Sequence, residues 1–459
     1  MLSNLESVST VQQRIAALAQ RSPDCAFTSL AHHITLEWLE EAYHRTRKDG
    51  AAGVDDVTGK EYAERLYENM QNLLERLKSG KYKAPPVRRK HIPKGTGDET
   101  RPIGIPTFED KIAQRAVVML LEPIYEHDFY DVSYGFRPGK SAHQALQTVW
   151  DATMSVHGGW VLEVDLRKFF DNLDHKQLQE FVSRRVRDGV LRRLIGKWLN
   201  AGVMEEGNLS FTETGTPQGG VISPLLANIY LHYVLDEWFE QMVKPRMQGK
   251  CHLIRFADDF VMIFDKKYDA DRVMAVISKR FEKYSLTVHP DKTKLIDFRC
   301  PDHWDRRREQ PQGGGKNGKP ETFDLLGFTH YWGKTRKGKL AVHRKTMKSR
   351  LARAVKSIDQ WCILNMHLPV RMQWAKLCEK VRGHYAYYGI TGNSRSLGWF
   401  LHLVERSWKY RINRRNCEKC NTWKEFRRIL ERYPLPRPKI VHSIFRKEKT
   451  KQESRRTEF

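Results

Sequence analysis

The stretch RFADDFVMIF, residues 255 to 264, constrains the fold of this chain more than any other. Two adjacent acids, Asp258 and Asp259, interrupt a run that otherwise has the composition of two buried strands. In a strand–turn–strand unit the residues at the tip lie off the buried faces, so such a hairpin would present both carboxylates on a rigid support. An ordinary turn gives the same pattern, because Asp favours turns, although Gly normally accompanies it. These ten residues leave both interpretations open.

A third acid adds to this pattern. Asp165 stands at the end of the apolar run WVLEVDL, residues 160 to 166, and a helix cap after a strand is the alternative interpretation. Mg²⁺ takes oxygen ligands and often needs only one or two protein carboxylates together with substrate phosphates. Two such ions about 4 Å apart assist an in-line displacement. Asp165 and Asp258 would form this clamp, and Asp259 would assist or hold the geometry.

The charge balance points to a polyanionic partner. Lys and Arg total 80 against 55 Asp and Glu, which gives a net charge of +25. Such a field attracts nucleic acid, while a merely basic, ribosome-like surface is the alternative. With 459 residues and 40% hydrophobic residues, the chain should fold into two or three subdomains.

The order of apolar patterns predicts an α+β fold. Helical spacing covers residues 11–20, 35–47 and 60–78, and two short strands should flank the turn GTGDE. A strand at 160–166, helices to about 201, a helix opened by GTPQGGVISP, the strands HLIRFA and DFVMIFD, and a short strand in FDLLGFTHY follow. No secondary structure is predicted for residues 434–459.

Cysteine use and the N-terminus suggest a location. Seven scattered cysteines do not resemble a disulfide framework, which favours a reducing compartment. The N-terminus has no signal-peptide pattern, and no run of about 18 apolar residues occurs. We therefore expect a soluble protein of the cytoplasm or an organelle, without a membrane partner.

Eight motifs in a fixed order carry a family resemblance. They are IPKGTGDETRPIGIPT (92–107), YGFRPGKSAH (134–143), VDLRKFFDNLDH (164–175), GTPQGGVISPLLANIYL (215–231), RFADDFVMI (255–263), LTVHPDKTKL (286–295), LLGF (325–328) and RGHYAYYG (382–389). In these motifs the chain resembles the reverse transcriptase and maturase proteins encoded by group II introns. One departure is Phe256, where the family usually has Tyr before the two acids. We expect altered nucleotide handling from it, not inactivity.

The resemblance implies a right-hand polymerase with fingers, a palm built on an antiparallel sheet, and a helical thumb. The expected divisions are a helical N-terminal extension (1–45), fingers (46–150), palm (151–335), thumb or maturase domain (336–415) and a basic C-terminal tail (416–459). A remnant of a DNA-binding region is one interpretation of the tail.

The resemblance also implies roles for single residues. Asp165, Asp258 and Asp259 would be metal-binding catalytic carboxylates with two Mg²⁺ ions, Mn²⁺ being an alternative. The deoxynucleoside triphosphate would contact five residues: Lys94, Arg101, Phe170, Gln218 and Lys292. Phe170 would crowd a ribose 2′-hydroxyl, unless it is a core residue and Phe169 faces solvent. Generic basic surface is the alternative for Lys94 and Arg101, a simple surface position is the alternative for Lys292, and a plain Gly-rich turn is the alternative for Gln218.

A further set would contact nucleic acid. Arg137 in YGFRPGK and Gly327 in LLGF are implied by their motifs, with a simple turn as the alternative for Gly327. Arg411, Arg414 and Arg415 stand in WKYRINRR, where aromatic and basic residues alternate and can stack on bases and neutralise phosphates. Tyrosines at helical spacing in RGHYAYYG are expected to be core.

Two other patterns do not support a site. GGGKNGKP (313–320) lacks the Ser or Thr of a phosphate-binding loop, since Pro320 stands at that position. Cys417 and Cys420 form a single CxxC, half of a zinc site. No endonuclease motif follows, so we expect that domain to be absent.

The predicted function is RNA-directed DNA polymerisation of the group II intron type, with binding of intron RNA to assist splicing and mobility. Partners would be intron RNA or another RNA template, a DNA primer or target, and deoxynucleoside triphosphates; the oligomeric state is unassigned. Two alternatives stay open. One is a maturase or RNA chaperone without polymerase activity, and the other is a related reverse transcriptase recruited to defence or repair.

Overall fold

The computed structural model describes residues 2–93, 100–205, 208–210, 219–301, 321–335, 337–415 and 422–443. The chain forms two compact units. Unit 1 consists of Met1–Ala145 and Trp160–Leu295, and unit 2 of Leu146–Gly159 and Ile296–Phe459. No helix among the described residues is both long enough and apolar enough to cross a membrane.

Unit 1 is mainly helical, with short strands between the helices. Its α-helices, numbered along the chain, are α1 Leu2–Arg21, α2 Leu36–His44, α3 Gly59–Glu64, α4 Leu66–Lys78, α5 Phe108–Asp128, the boundary-crossing α6 Ala142–Ser155, α7 His175–Arg185, α8 Gly189–Leu199, α9 Ser223–Leu231 and α10 Lys267–Glu282. Short 3₁₀ turns are Ala31–His33, Phe169–Asp171 and Lys244–Arg246. After α9 the chain continues as π-helical turns, His232–Asp236 and Trp238–Val243.

The strands of unit 1 that the structure describes form three sheets. They are β1 Val87–Pro93, β2 Thr100–Ile105, β3 Trp160–Val164, β4 Leu166–Arg167, β5 Val203–Glu205, β6 Asn208–Ser210, β7 Cys251–Phe256, β8 Asp259–Phe264, β9 Thr287–Val288 and the boundary-crossing β10 Lys294–Asp297. The sheet orders are β2-β1-β5-β6, β10-β3-β8-β7 and β4-β9. β1 pairs with β5 in parallel, whereas β1–β2, β3–β8, β4–β9, β5–β6 and β7–β8 are antiparallel. The predicted α+β class is confirmed.

The β7–β8 hairpin is buried along most of its length. After Asp259, every residue of β8 is buried, and β7 is buried at four of its six positions. Helix α10 covers this sheet, with Phe281 against Phe260 at 5.9 Å between ring centroids. Because both faces of the hairpin are buried, its sequence is almost continuously apolar. The same burial makes the hairpin a rigid support for the residues at its tip.

Unit 2 combines one small sheet with a helical bundle. The antiparallel sheet consists of β11 Phe323–Leu325, β12 Phe328–Lys334 and β13 Leu340–Thr346, and the helices are α11 Lys348–Leu364, α12 Val370–Tyr388, α13 Ser394–Arg415 and α14 Trp423–Arg432. Leu377, Val404 and Trp408 lie at the centre of the helical core. The indole of Trp408 donates to Gln373 Oε1 at 2.9 Å, which satisfies its buried N–H.

Two elements differ from the sequence-based expectations. The single strand expected in FDLLGFTHY is a hairpin, because Leu326 and Gly327 both adopt a positive φ between β11 and β12. That sheet belongs to unit 2, and the expected palm boundary at residue 335 stays a prediction. Helix α14 lies within the expected tail, where a capping box of Thr422 and Glu425 starts it and Phe426 is fully buried.

Candidate active site

The two adjacent acids lie at the tip of the β7–β8 hairpin. Phe256 pairs with Asp259, so Ala257 and Asp258 form a two-residue turn. Ala257 has a φ of 57°, the positive value that a tight hairpin turn needs at its first central position. Asp258 is half-buried and Asp259, the first residue of β8, is exposed. The turn therefore presents the two carboxylates at the end of a buried hairpin.

Asp165 is brought to the same edge by strand pairing. β3 runs antiparallel to β8 with Val164 opposite Phe260, and Asp165 follows directly, between β3 and β4. Asp165 therefore lies one residue beyond the last pair, at the end of the sheet where Asp259 begins β8, and its charge acts on Asp258. The three predicted acids thus converge, although 93 positions separate Asp165 from Asp258 in the chain.

The electrostatics of the turn favour a cation. Burial raises the pKa of Asp258, and the nearby charge of Asp165 raises it further, while Arg101 lowers it. Two carboxylates that disfavour each other's charge are stabilised when a cation lies between them. In this structure Lys292 donates from Nζ to Asp165 Oδ2 at 2.8 Å, in a largely exposed pair that contributes little stability.

These side chains fit Mg²⁺ better than a metal that needs a complete protein cage. Within the part of the chain that the structure describes, no group of three or more His, Cys, Asp and Glu side chains is placed so that it could hold a metal by itself. Mg²⁺ typically uses one or two carboxylates and completes its shell with water and substrate phosphates. Asp165 and Asp258 provide that donor set.

A buried network supports the turn, and sequence reasoning missed it. The guanidinium of Arg255 is fully buried and pairs with Asp236, from Nε to Oδ1 at 2.8 Å and from Nη2 to Oδ2 at 2.5 Å. Its Nη1 donates to Asn228 Oδ1 at 2.9 Å and to the carbonyl of Ala257 at 3.1 Å. Arg255 thus connects the turn to α9, which carries Asn228, and to the π-helical turn after it, which carries Asp236. The available signal was one basic residue inside the apolar strand HLIRFA.

The predicted triphosphate contacts are only partly described. Arg101 lies exposed on β2, and its charge reaches Asp258, whereas Lys94 and Gln218 lie outside the described residues. Gly219 follows Gln218 with a φ of 117°, and a Cβ there would lie 2.5 Å from the carbonyl oxygen of Gly104 in β2. Only glycine fits at that position. Gly219 is thereby held against the β1–β2 hairpin.

The two phenylalanines after Asp165 have different environments. Phe169 is 2% exposed and belongs to the core, while Phe170 is half-buried and packs against the edge of that core. Their rings meet edge to face at 5.2 Å. Of the two, Phe170 is therefore the ring that a ligand can reach.

Arg137 is occupied inside the protein. It is 8% exposed, pairs with Glu126 at 3.1 Å, and donates to the carbonyls of Tyr130 and Ser133 at 2.8 and 2.9 Å. These contacts hold the loop between α5 and α6. The predicted contact of Arg137 with nucleic acid stays a prediction, and the structure gives this guanidinium a positioning role as well.

The other predicted nucleic-acid residues lie in unit 2. Gly327 has a φ of 81° in the β11–β12 turn, where its carbonyl accepts from Met347 at 3.0 Å. Arg411 forms a bidentate pair with Asp359 at 2.7 and 3.2 Å, so much of its charge is neutralised within the bundle. Arg414 is exposed beside the ring of Tyr410, and the side chain of Arg415 lies outside the description.

A stack of exposed rings joins α13 to α14. Trp399 stacks on His402 at 5.3 Å, and His402 stacks on Trp423 of α14 at 6.2 Å. Trp399 is 52% exposed and Trp423 is 40% exposed, with Lys409 over the Trp423 ring at 5.2 Å. Exposed stacked aromatics with adjacent cations suit single-stranded nucleic acid, because every base has a face that can stack.

Comparison with known proteins agrees with this geometry. Residues 92–330, just over half of the chain, match the family model described as reverse transcriptase (RNA-dependent DNA polymerase). Protein YkfC of Escherichia coli (strain K12) is 38% identical over 322 residues, which are 63% of this chain and 84% of YkfC.

Two other relatives are named after introns. The group II intron-encoded protein LtrA of Lactococcus lactis subsp. cremoris is 40% identical over 238 residues, 50% of this chain and 38% of LtrA. The protein named nuclear intron maturase 2, mitochondrial, of Arabidopsis thaliana is 27% identical over 229 residues, which are 42% of this chain and 30% of that protein. The chain therefore aligns with well under half of the length of these two.

Proposed function

Because this chain belongs to the reverse transcriptase family, in its group II intron-encoded branch, we propose that it copies RNA into DNA with Asp165, Asp258 and Asp259 as the catalytic carboxylates. The observation that carries the proposal is the antiparallel register of β3 with β8, which sets Asp165 beside the acidic turn. In the right-hand description, unit 1 would carry the fingers and palm, and unit 2 the thumb.

Each acid has a proposed task. Asp165 and Asp258 would hold two Mg²⁺ ions, with Asp259 assisting from the first position of β8. Bound there, the ions would supply charge neutralisation and activation of the primer 3′-hydroxyl. The protein's own contribution is rigidity, because the buried hairpin and Arg255 fix the turn before substrate arrives.

The surrounding side chains would select and align the triphosphate. Arg101, Lys94 and Lys292 would neutralise its charge, and Lys292 would exchange Asp165 for a phosphate oxygen. Gln218 would line the pocket, and Phe170 would crowd a ribose 2′-hydroxyl. Attack of the 3′-hydroxyl on the α-phosphorus forms the new phosphodiester bond and releases pyrophosphate.

RNA binding would rest on unit 2 and on overall charge. The rings of Trp399, His402 and Trp423, with Lys409 over the Trp423 ring, form an exposed surface that suits unpaired RNA. Arg414 is exposed further along α13 and would add a phosphate contact. Arg411 contributes less than the sequence indicates, since Asp359 already neutralises it. We propose that this surface binds intron RNA and assists its folding for splicing, and that a DNA primer or target is the second partner.

A maturase that binds RNA without polymerising is the competing function. The exposed ring stack is consistent with this RNA-binding function. RNA binding alone does not require the acidic turn that carries Asp258 and Asp259. Burial and the charge of Asp165 both disfavour the charged form of Asp258, and a protein that only binds RNA has no use for this arrangement.

One pair of assays separates the two activities. Asp258→Asn should abolish primer extension on an RNA template and leave splicing of a precursor containing the encoding intron within about twofold of wild type, because RNA affinity comes mainly from phosphate and base contacts. The exposed Asp271→Asn on α10 is the matched control and should change neither. Equal loss of both activities in Asp258→Asn would refute the two-function proposal.

A further inference from the structure

Phe136 combines two unusual properties. Its φ is 57°, in the left-handed region that a residue with a bulky side chain rarely adopts, and its side chain is 60% exposed. A conformation of this kind costs on the order of 1–3 kcal/mol and persists only where surrounding contacts impose it. Because the ring stays largely in water, its burial contributes little free energy to offset this strain.

Backbone pairing places Phe136 near the turn formed by Ala257 and Asp258. The amide of Tyr134 donates to the carbonyl of Arg255 at 2.9 Å, and the amide of Arg255 donates to the carbonyl of Val132 at 2.8 Å. The loop therefore adds a short parallel strand to the edge of β7, with Ser133 opposite Arg255. Two residues further on, a Cβ at Gly135 would lie only 2.3 Å from the amide nitrogen of Ala257.

Phe136 therefore lies close to the turn. Ser133 pairs with Arg255 and Gly135 contacts Ala257, and Phe136 is the next residue of the loop. The ring of Phe136 lies 6.4 Å from that of Phe256, the residue that precedes the turn. Together the two phenylalanines form an apolar surface next to the proposed metal-binding carboxylates.

The loop around Phe136 is fixed on both sides. Asn228, which accepts from Arg255, donates from Nδ2 to the carbonyl of Gly135 at 2.7 Å. On the other side, Arg137 is held by Glu126 and by two backbone carbonyls. The contacts that hold Arg255 and the turn thus also hold Phe136 in its strained conformation, which couples the position of the ring to that of Asp258.

We propose that Phe136 is a positioning residue that stacks on the last nucleotide of the primer strand and holds its 3′ end beside Asp258. This inference rests on the proposed polymerase function. The 3′-hydroxyl has to reach the carboxylate site, so the terminal primer nucleotide has to lie over this turn. An exposed ring there can stack on its base or sugar, and such a contact contributes about 1–3 kcal/mol.

The test separates the ring from the backbone strain. Phe136→Ala keeps a side chain at positive φ and removes the ring, Phe136→Gly removes the ring and also relieves the strain, and Phe136→Trp keeps an aromatic face. Steady-state primer extension on an RNA template with a DNA primer gives kcat/KM for the primer–template and KM for the deoxynucleoside triphosphate. Thermal unfolding reports the fold.

We expect kcat/KM for the primer–template to fall about tenfold in both Phe136→Ala and Phe136→Gly, with KM for the triphosphate unchanged. Phe136→Trp should stay within about twofold of wild type. Phe136→Gly should unfold at the same or a higher temperature than wild type, which would show that the loss is not a folding defect. His157→Gly, which relieves another positive φ of 51° before β3, is the control and should leave kcat/KM unchanged.

Three results would overturn the inference. Activity of Phe136→Ala and Phe136→Gly within twofold of wild type would show that the ring does not contact the primer. Equal loss in Phe136→Trp would indicate a structural role or a site for another protein. A wild-type protein that extends no primer on any template would instead refute the polymerase function, and the inference with it.

Discussion

At the scale of single residues, the acidic turn depends on Arg255. This side chain has no contact with solvent, and its donors are divided among Asp236, Asn228 and the carbonyl of Ala257. A buried charge is tolerated only when its partner and hydrogen bonds are complete. The same atoms that stabilise this charge hold Ala257, and thereby Asp258, in place.

Removing the negative charge of Asp236 should therefore lower the stability of the fold. Asp236→Asn leaves the Arg255 guanidinium buried without a counter-charge, and we expect a loss of about 3–5 kcal/mol in the free energy of unfolding. Denaturant unfolding measures it. The adjacent Glu237→Gln, which removes an exposed pair with Arg184 at 3.6 Å, is the control and should cost no more than about 1 kcal/mol. Similar costs for both variants would contradict the role given to Arg255.

Phe170 leads to a prediction on substrate choice. If its ring crowds the ribose 2′-hydroxyl, Phe170→Val should raise incorporation of ribonucleotides relative to deoxyribonucleotides by about tenfold or more. The measurement is the ratio of kcat/KM for the two substrates in primer extension. Phe169→Leu is the control, because Phe169 is a core residue and its change should affect stability rather than the ratio. An unchanged ratio in Phe170→Val would exclude this role.

The sequence predicts the three acids of the candidate site, but it does not predict the residues that hold the turn in place. Asp258 and Asp259 stand out because they interrupt an apolar run, and Asp165 because an apolar run ends there. Arg255 is visible as a lone charge, but its partner Asp236 lies 19 residues earlier in a separate helical turn, and no local pattern joins the two. Phe136 carries no sequence signal, since strain depends on contacts made across the fold.

At the scale of secondary-structure elements, a buried polar cluster joins α5 to α8 and to the turn before α9. Asp110 of α5 accepts from the Tyr82 hydroxyl and, at 2.7 Å, from the Trp198 indole, and Gln114 donates to it at 2.9 Å. Gln114 in turn accepts from the amide of Ile222 at 3.2 Å. This cluster links the helices of the proposed fingers to the loop that follows Gln218.

The cluster predicts a pH dependence of stability. Burial raises the pKa of Asp110 to about 6, above the ~3.9 of an unfolded Asp. Between these values the folded state keeps a proton that the unfolded state releases, so stability falls as pH rises from about 4 to about 6. In Asp110→Asn this contribution disappears. Relative to the variant, wild type should lose up to about 1.4 kcal/mol per pH unit in that window.

Denaturant unfolding at pH 4.5 and pH 7 checks this difference. Asp110→Asn should be less stable than wild type overall, because the amide cannot satisfy all three donors, so only the change with pH is diagnostic. Parallel stability curves for the two proteins across the window would show that Asp110 is already ionised in the folded state.

Helices α13 and α14 lead to a prediction on RNA affinity. Trp399→Ala should weaken binding of an unstructured RNA oligonucleotide about tenfold, because it removes the outer ring of the stack formed with His402 and Trp423. Tyr268→Ala is the matched control, since Tyr268 is 57% exposed in unit 1 and also has an arginine, Arg272, over its ring. Fluorescence anisotropy measures both. Equal weakening would show that any exposed aromatic suffices.

Elements were predictable to the extent that local patterns define them. The β1 and β2 strands, the β7–β8 hairpin and the helix after GTPQGGVISP have the expected positions. Helix α14 was missed, although Thr422, Glu425 and Phe426 provide a capping box and a core position, because the expected helical domain ended at residue 415 and residues 416–459 were assigned to a basic tail. The division into units depends on contacts between distant segments, and strand patterns do not encode it.

At the scale of the whole molecule, binding and catalysis should be separable. The net charge of +25 provides a field that attracts any nucleic acid, and phosphate contacts made by Lys and Arg supply most of the affinity. The catalytic proposal depends on only three carboxylates at one edge of one sheet. Their removal should therefore leave affinity for RNA nearly unchanged, and the affinity of wild type and variant should fall with added salt to the same degree.

Primer extension on an RNA template with Mg²⁺ tests the central claim most directly. The comparison is between wild type, a variant with both Asp258 and Asp259 changed to Ala, and a control with the exposed pair Asp55 and Asp56 changed to Ala. We predict synthesis by wild type and by the control, none by the Asp258 and Asp259 variant, and RNA affinities within about threefold of one another. Continued synthesis without Asp258 and Asp259 would contradict the assignment of the active site.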